Sequence, residues 1–221
     1  MEKLSQCAAA VFDMDGTLVD SSAEIVKCLA KSYRDAGVEV PAESLTPELV
    51  GPPIREIISN ITSTLPDEKA AEVIAHFRSN YDDSPDDIST LYDGIPELLA
   101  FLAESKIPLY IATNKPMRPS LRIVRTLGLD CFRDIYTVDK FPERIGKAQM
   151  LAKIAEAEHT SPENLAMIGD SPDDIKSARA VGAAAFGALW GYGDGAQVAA
   201  LSDASFESPS KLLEYFKQKS L

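Results

Sequence analysis

Histidine, tryptophan and cysteine are scarce in this chain of 221 residues, numbering 2, 1 and 3. Cys7, Cys28 and Cys131 are odd in number and lack metal-ligand spacing, which points away from a thiolate metal site; they read as small buried side chains in a reducing compartment. His76 and His159 read as surface or packing residues. Positive charge is also in deficit: Lys and Arg total 22 against 34 Asp and Glu, a formal net charge of −12. Nucleic acid and anionic membranes both need a basic face, so neither is an expected partner. Long hydrophobic runs are missing as well. The first apolar run is short, is preceded by Glu2 and Lys3 and leads straight into an acidic stretch, which fits neither a signal peptide nor a membrane span and predicts a cytoplasmic location. No internal repeat and no low-complexity tract is visible. The apolar fraction of 45% is still enough for a sizeable core, in one large domain or in a core with a smaller companion.

The chain is organised around Val11 to Asp20, Val-Phe-Asp-Met-Asp-Gly-Thr-Leu-Val-Asp. The run Ala8 to Phe12 reads as a buried strand that stops before the turn signal Gly16. Asp13 and Asp15 lie two apart in extended chain, so both carboxylates can address one spot. Close carboxylates repel unless a cation sits with them, and a hard divalent ion such as Mg²⁺ suits an all-oxygen site. One such carboxylate can attack phosphorus, and the other can give and take the proton. A helix-loop-helix calcium loop is excluded by Thr17 and Leu18, which fall where Asp or Asn and Gly are required.

Beyond Asp20 the period changes to helical. Ile25, Val26, Leu29, Ala30 and Tyr33 mark one helix, Thr46-Pro47-Glu48 starts another, Ile54, Ile57, Ile58 and Ile61 mark a third, and Ala70, Val73, Ile74, Phe77 and Tyr81 a fourth. Residues 21–87 therefore predict a small helical domain inserted into an α/β core of residues 1–20 and 88–221, with a return linker over 81–91. In the core, helix signals at 96–104, 117–127, 147–158 and 172–181 alternate with strand signals at 107–112, 135–138, 165–168 and 183–186. That alternation predicts a doubly wound, Rossmann-like parallel sheet, whose ligands gather at the carboxyl ends of the strands. Trp190 to Gly195 is glycine-rich but lacks the lysine and spacing of a nucleotide-binding loop, and reads as a flexible loop at the rim. Residues 209–221 predict a last amphipathic helix on Leu212, Leu213 and Phe216.

Strand ends carry the remaining candidates. Ile111-Ala112-Thr113-Asn114-Lys115-Pro116 offers the Thr113 hydroxyl and the amides after it, Asn114 included, as donors to phosphate oxygens. Met167 to Asp174 offers Asp170 as a further metal ligand and Asp174 at a helix start, with Asp173 between them facing solvent.

Asp13-Met14-Asp15-Gly16-Thr17-Leu18-Val19-Asp20-Ser21 resembles the first motif of the haloacid dehalogenase superfamily of aspartyl-nucleophile phosphatases. Thr113 matches the second motif of that family, and Thr-Asn-Lys-Pro resembles its phosphoglycolate phosphatase-like branch. Gly169-Asp170 followed by Asp174 matches the fourth. The third-motif lysine is assigned to Lys147, which opens a helix; relatives have proline after it where this chain has Ala148, and Lys140 is the alternative. The resemblance implies that Asp13 is the nucleophile and Asp15 the acid/base. It further implies that Asp13, the Asp15 carbonyl and Asp170 hold Mg²⁺ with support from Asp174, that Thr113, Asn114 and Lys147 bind phosphate, and that the helical insertion is a cap. Arg55, in the turn Gly51-Pro52-Pro53-Ile54-Arg55, could then meet a substrate anion.

The activity implied is hydrolysis of a small phosphorylated metabolite, phosphoglycolate first, through an aspartyl-phosphate; the oligomeric state is left open. Gly169 stands where sugar phosphomutases usually carry Glu, no lysine for an imine lies between Lys31 and Lys69, and a dehalogenase has no use for Asp15. Pyrophosphatase, nucleotidase and sugar phosphate phosphatase or phosphomutase activities are the enzymatic alternatives. A non-catalytic regulator that binds a phosphorylated ligand is the alternative of another class.

Overall fold

Strand β1 (Ala9–Phe12) is buried along its whole length, because helices cover both faces of the sheet it centres. A computed structural model describes residues 7–82, 84 and 88–219. Beside β1 lie β4 (Leu109–Thr113) and β6 (Leu165–Gly169); β5 (Asp134–Thr137) flanks β4, while β7 (Ala184–Ala188) and β8 (Ala204–Phe206) extend the other side. The six run in the order β5-β4-β1-β6-β7-β8, and every pairing is parallel. Phe12 is in register with Ile111 on one side and Ile168 on the other, so the chain leaves β1, β4 and β6 at one level of the sheet.

Alternation along β1 divides the core. Ala10 and Phe12 join a cluster with Ile95, Leu98 and Leu102 of α4 (Ile95–Glu104), Ile123 of α5 (Met117–Thr126) and Leu212 and Phe216 of α9 (Pro209–Lys219). Ala9 and Val11 face the opposite way, toward Met150, Leu151 and Ile154 of α6 (Lys147–Ala157), Ile175 of α7 (Pro172–Ala180) and Val198 of α8 (Gly195–Leu201). Each large apolar side chain removed from water contributes about 1.5–3 kcal/mol, so the two clusters hold the sheet between two helical layers.

The chain divides into two compact units, Met1–Asp20 with Thr90–Leu221 and Ser21–Ser89. The second is helical: α1 (Ser22–Asp35), α2 (Ile54–Ile61) and α3 (Asp67–Asp82) enclose Leu29, Tyr33, Ile57, Ile58, Val73 and Ile74. Thr46-Pro47-Glu48 forms only a 3-10 turn over Pro47–Leu49, because Pro52 and Pro53 soon hold the chain extended. Part of the expected return linker, residues 83 and 85–87, and the last two residues of the expected terminal helix lie outside the described residues.

Short elements depart from expectation. Val19–Asp20 (β2) pairs antiparallel with Thr90–Leu91 (β3), and α8 and β8 follow the glycine-rich segment, elements for which the sequence reading held no expectation. Cys28 is buried, whereas Cys131 is exposed, contrary to its expected burial.

Candidate active site

The turn after β1 is shaped by Gly16. Its φ of +82° is costly for any residue with a side chain, and a Cβ there would stand 2.2 Å from Oδ2 of Asp170. That absence of a side chain lets Asp170, just past β6, press against the turn that carries Asp13 and Asp15. Thr17 is fully buried, and its hydroxyl donates to Asp170 Oδ1 at 3.0 Å.

Asp170 is held from a third direction by the segment expected to be a flexible loop. The amides of Tyr192 and Gly193 donate to Asp170 Oδ2 at 2.9 and 3.3 Å. Trp190 Nε1 donates to the Thr17 carbonyl at 3.0 Å, and the Tyr192 hydroxyl donates to Asp20 Oδ1 at 2.8 Å. A Cβ on Gly191 would stand 2.2 Å from the Gly16 carbonyl oxygen and 2.4 Å from Asp170 Cβ. The glycines therefore let backbone pack against backbone and bring donors to a carboxylate.

Lys147, the first residue of α6, is 3% exposed and ion-pairs with Asp13 at 2.9 Å and with Asp174. Lys140 turns elsewhere: it pairs with Asp134, donates to the Ile135 carbonyl and lies over the Tyr136 ring. Of the two candidate lysines, Lys147 is the one beside Asp13. Asp174 accepts from the Ser171 amide at 3.0 Å and hydroxyl at 2.7 Å while Lys147 takes its other oxygen. Both of its oxygens are thus committed to positioning the lysine and starting α7.

Asp13, Asp170 and Asp174 are all buried and offer oxygens within 4.8 Å of one another. Loss of water pushes the Asp13 carboxyl well above the usual carboxylate range; Lys147 opposes the shift, while Asp174 and Asp170 add to it. Burial raises Asp170 likewise, with Asp174 adding and the Tyr192 amide and Thr17 opposing. Burial alone would lower Lys147, but Asp13 and Asp174 outweigh it and hold the lysine charged.

Thr113 closes β4, 2% exposed, and its oxygen accepts from the Lys115 amide at 3.1 Å. Asn114 is exposed and donates to the exposed Asp173 at 3.4 Å. Lys115 is buried, and its Nζ lies 2.6 Å from Asp15 Oδ1. Arg55 belongs to the other unit, exposed in the first turn of α2. The residues that the sequence reading passed over are Lys115, Thr17 and the Trp190 to Gly193 backbone. Their signals were a lysine among strand-end polar residues and glycines spaced two apart.

Fold and site together place the chain among Rossmann-like α/β proteins with a carboxylate-lined centre at the mouth of the middle strand. Within that class it belongs to the haloacid dehalogenase-like hydrolase family, whose sequence profile matches residues 10–188. It is 30% identical to the phosphoglycolate phosphatase of Chromobacterium violaceum over 224 residues, covering 97% of this chain and 98% of that one. It is 33% identical over 184 residues to the tyrosine-protein kinase PtkA of Mycobacterium tuberculosis, covering 83% of this chain but 62% of that protein's length. A haloacid dehalogenase-like family protein of Streptococcus pneumoniae superposes with a TM-score of 0.83 at 29% identity, over 96% of this chain and 99% of that one.

Proposed function

We propose that the chain is a Mg²⁺-dependent phosphatase of small phosphomonoesters, phosphoglycolate being the favoured substrate and the helical unit acting as a cap. The observation that carries this reading is the buried ion pair of Lys147 with Asp13, beside a half-buried one of Lys115 with Asp15, on carboxylates two residues apart. A nucleophile must stay ionised at neutral pH despite burial, and Lys147 supports its charge. Asp13 would attack phosphorus, forming the Asp13–phosphorus bond as the ester bond breaks. Asp15 would pass a proton to the departing alkoxide, and would then accept one from the water that attacks the aspartyl-phosphate and restores Asp13. Thr113 and Lys147 would bind phosphoryl oxygens, with Asn114 a further donor beside them.

The donor set fits a hard divalent cation: three buried carboxylates, two of them paired with Lys147, oxygen ligands only, and Asp174 already committed to Ser171 and Lys147. Asp13 and Asp170, with the Asp15 carbonyl, would hold Mg²⁺. When bound, the ion supplies charge neutralisation for the approaching phosphate. The turn at Gly16 and the amides of Tyr192 and Gly193 orient these oxygens beforehand.

The likeness to PtkA supports a second reading, in which a tyrosine hydroxyl rather than water accepts the phosphoryl group. Both are tested by phosphate release from a panel of phosphoglycolate, pyrophosphate, nucleoside monophosphates and sugar phosphates, with Mg²⁺ and with chelator, beside a labelled-ATP assay with a tyrosine peptide. Chelator-sensitive release that vanishes in Asp13→Asn is expected. Full activity in that variant refutes the covalent mechanism.

A further inference from the structure

The segment that follows β7 reaches two parts of the core. At one end the amides of Tyr192 and Gly193 donate to Oδ2 of Asp170, the carboxylate read above as a metal ligand. At the other end the Tyr192 hydroxyl donates to Oδ1 of Asp20, in β2, at 2.8 Å, and it shares a hydrogen bond with the Tyr92 hydroxyl. Tyr92 directly follows β3, and its amide donates to the Leu18 carbonyl at 3.2 Å. One side chain therefore serves both sides of the β2–β3 pair, through which the chain leaves the core for residues 21–89 and returns.

We propose that Tyr192 is a positioning residue that couples Asp170 to the β2–β3 pair, so that a divalent cation held at Asp170 stiffens the two strands that lead to and from the helical unit. The inference rests on the reading of Asp170 as a metal ligand and extends it from the ion to the base of the insertion.

Close packing carries the argument. Gly191 and Gly193 flank Tyr192, and a Cβ on either would collide with Asp170. The Tyr192 backbone is thus seated against that residue and follows it when it moves. A tyrosine side chain has only two rotatable bonds, so a shift of its backbone is passed on to its hydroxyl. Asp13, Asp170 and Asp174 offer oxygens within 4.8 Å of one another, and their mutual repulsion loosens Asp170 when no cation is present. A cation removes the repulsion and gives the two amides a fixed acceptor. Thr17 supplies a competing route, because its hydroxyl also donates to Asp170 and it lies two residues before β2. That route enters β2 along the chain, whereas Tyr192 meets β2 and the residue after β3 together.

The test is amide hydrogen exchange in residues 17–20 and 89–92, measured in chelator and at Mg²⁺ concentrations that calorimetry shows to be saturating. The wild type is compared with Tyr192→Phe, which keeps the ring, and with Leu91→Ala, which trims a side chain packed on the core and keeps the hydroxyl. A purely structural loss speeds exchange equally with and without the ion, so the ratio of the two rates reads the coupling alone. Mg²⁺ is expected to slow these amides about 10-fold in the wild type and less than about 2-fold in Tyr192→Phe. Leu91→Ala is expected to exchange faster throughout and to keep the ratio of about 10. Exchange in β1 and β6 checks that each variant is folded. A wild type without slowing, a full ratio in Tyr192→Phe or a lost ratio in Leu91→Ala overturns the proposal. If calorimetry detects no Mg²⁺ binding to the wild type, the metal reading fails and exchange in chelator decides the coupling. Asp170→Ala is then expected to speed these amides about 10-fold in the wild-type background and less than about 2-fold beside Tyr192→Phe. Equal acceleration in both backgrounds overturns it.

Discussion

Gly191→Ala and Gly195→Ala add the same methyl group four residues apart, and the structure assigns them opposite outcomes. At Gly195 the nearest atom to the new Cβ is Leu189 Cδ2 at 3.9 Å, an ordinary contact, and the residue opens α8, where alanine is at least as favourable. At Gly191 the new Cβ would stand 2.2 Å from a carbonyl oxygen and 2.4 Å from Asp170 Cβ, so the segment must retreat by about 0.8 Å to reach a tolerable 3.0 Å. Overpacking of this kind costs about 1–3 kcal/mol. The retreat also lengthens the amide bonds from Tyr192 and Gly193 to Asp170, the longer of which is already 3.3 Å. Losing one hydrogen bond to a carboxylate costs roughly 1.5–3 kcal/mol, so a total of about 2.5–6 kcal/mol is expected. Displacement of a ligand's hydrogen-bond partners typically weakens metal affinity by about 10–100-fold. Urea denaturation in chelator reads the first quantity, and calorimetric titration of Mg²⁺ into the folded variants reads the second. If Gly191→Ala matches Gly195→Ala in both, the segment is not a cradle for Asp170 and the reasoning fails.

Lys147→Met leaves Asp13, Asp170 and Asp174 buried without their cation and is expected to cost about 3–5 kcal/mol in metal-free protein, whereas Lys140→Met, which breaks a pair exposed 20% and 46%, is expected to cost under about 1 kcal/mol. Denaturant midpoints of the two variants check the contrast; equal losses would contradict it. The pH dependence in chelator follows from the raised Asp13 and Asp170 carboxyls. Their folded forms hold protons that the unfolded chain has released, so this contribution to stability is fully present below the ordinary carboxylate range and is lost as pH rises from there toward neutrality. Melting temperatures measured from pH 5 to 8 are expected to fall with pH in chelator and to flatten with Mg²⁺ or in Asp13→Asn; a rise with pH in chelator would contradict the sign.

Legibility in the sequence followed burial. The strand signals at 107–112, 135–138, 165–168 and 183–186 correspond to β4, β5, β6 and β7 because those segments are buried and therefore apolar, and the helices between them end at Gly128 and Gly182 as their turns require. By contrast, β2 and β3 are two residues long and β8 three, too short for any period to register; they exist because a neighbouring strand offers backbone partners. In the site, Asp13, Asp15 and Asp170 stood out as acidic residues at strand ends. Lys115 did not, since its partner Asp15 lies 100 positions away and only folding brings them together. The donors to Asp170 from Tyr192 and Gly193 are backbone amides, which every residue carries and no sequence pattern marks.

The small antiparallel pairing of Val19–Asp20 with Thr90–Leu91 fastens together the two ends of the chain that leads out to residues 21–89 and back. For the sheet, that excursion is a loop whose closure has already been arranged at its base. Closure entropy grows only logarithmically with loop length, so lengthening or shortening what lies beyond the clasp changes the core's free energy by roughly 0.6 kcal/mol per doubling. The inserted unit is thereby interchangeable in principle, a segment that can be exchanged by grafting at Asp20 and Thr90 while the parallel register of the sheet stays as it is.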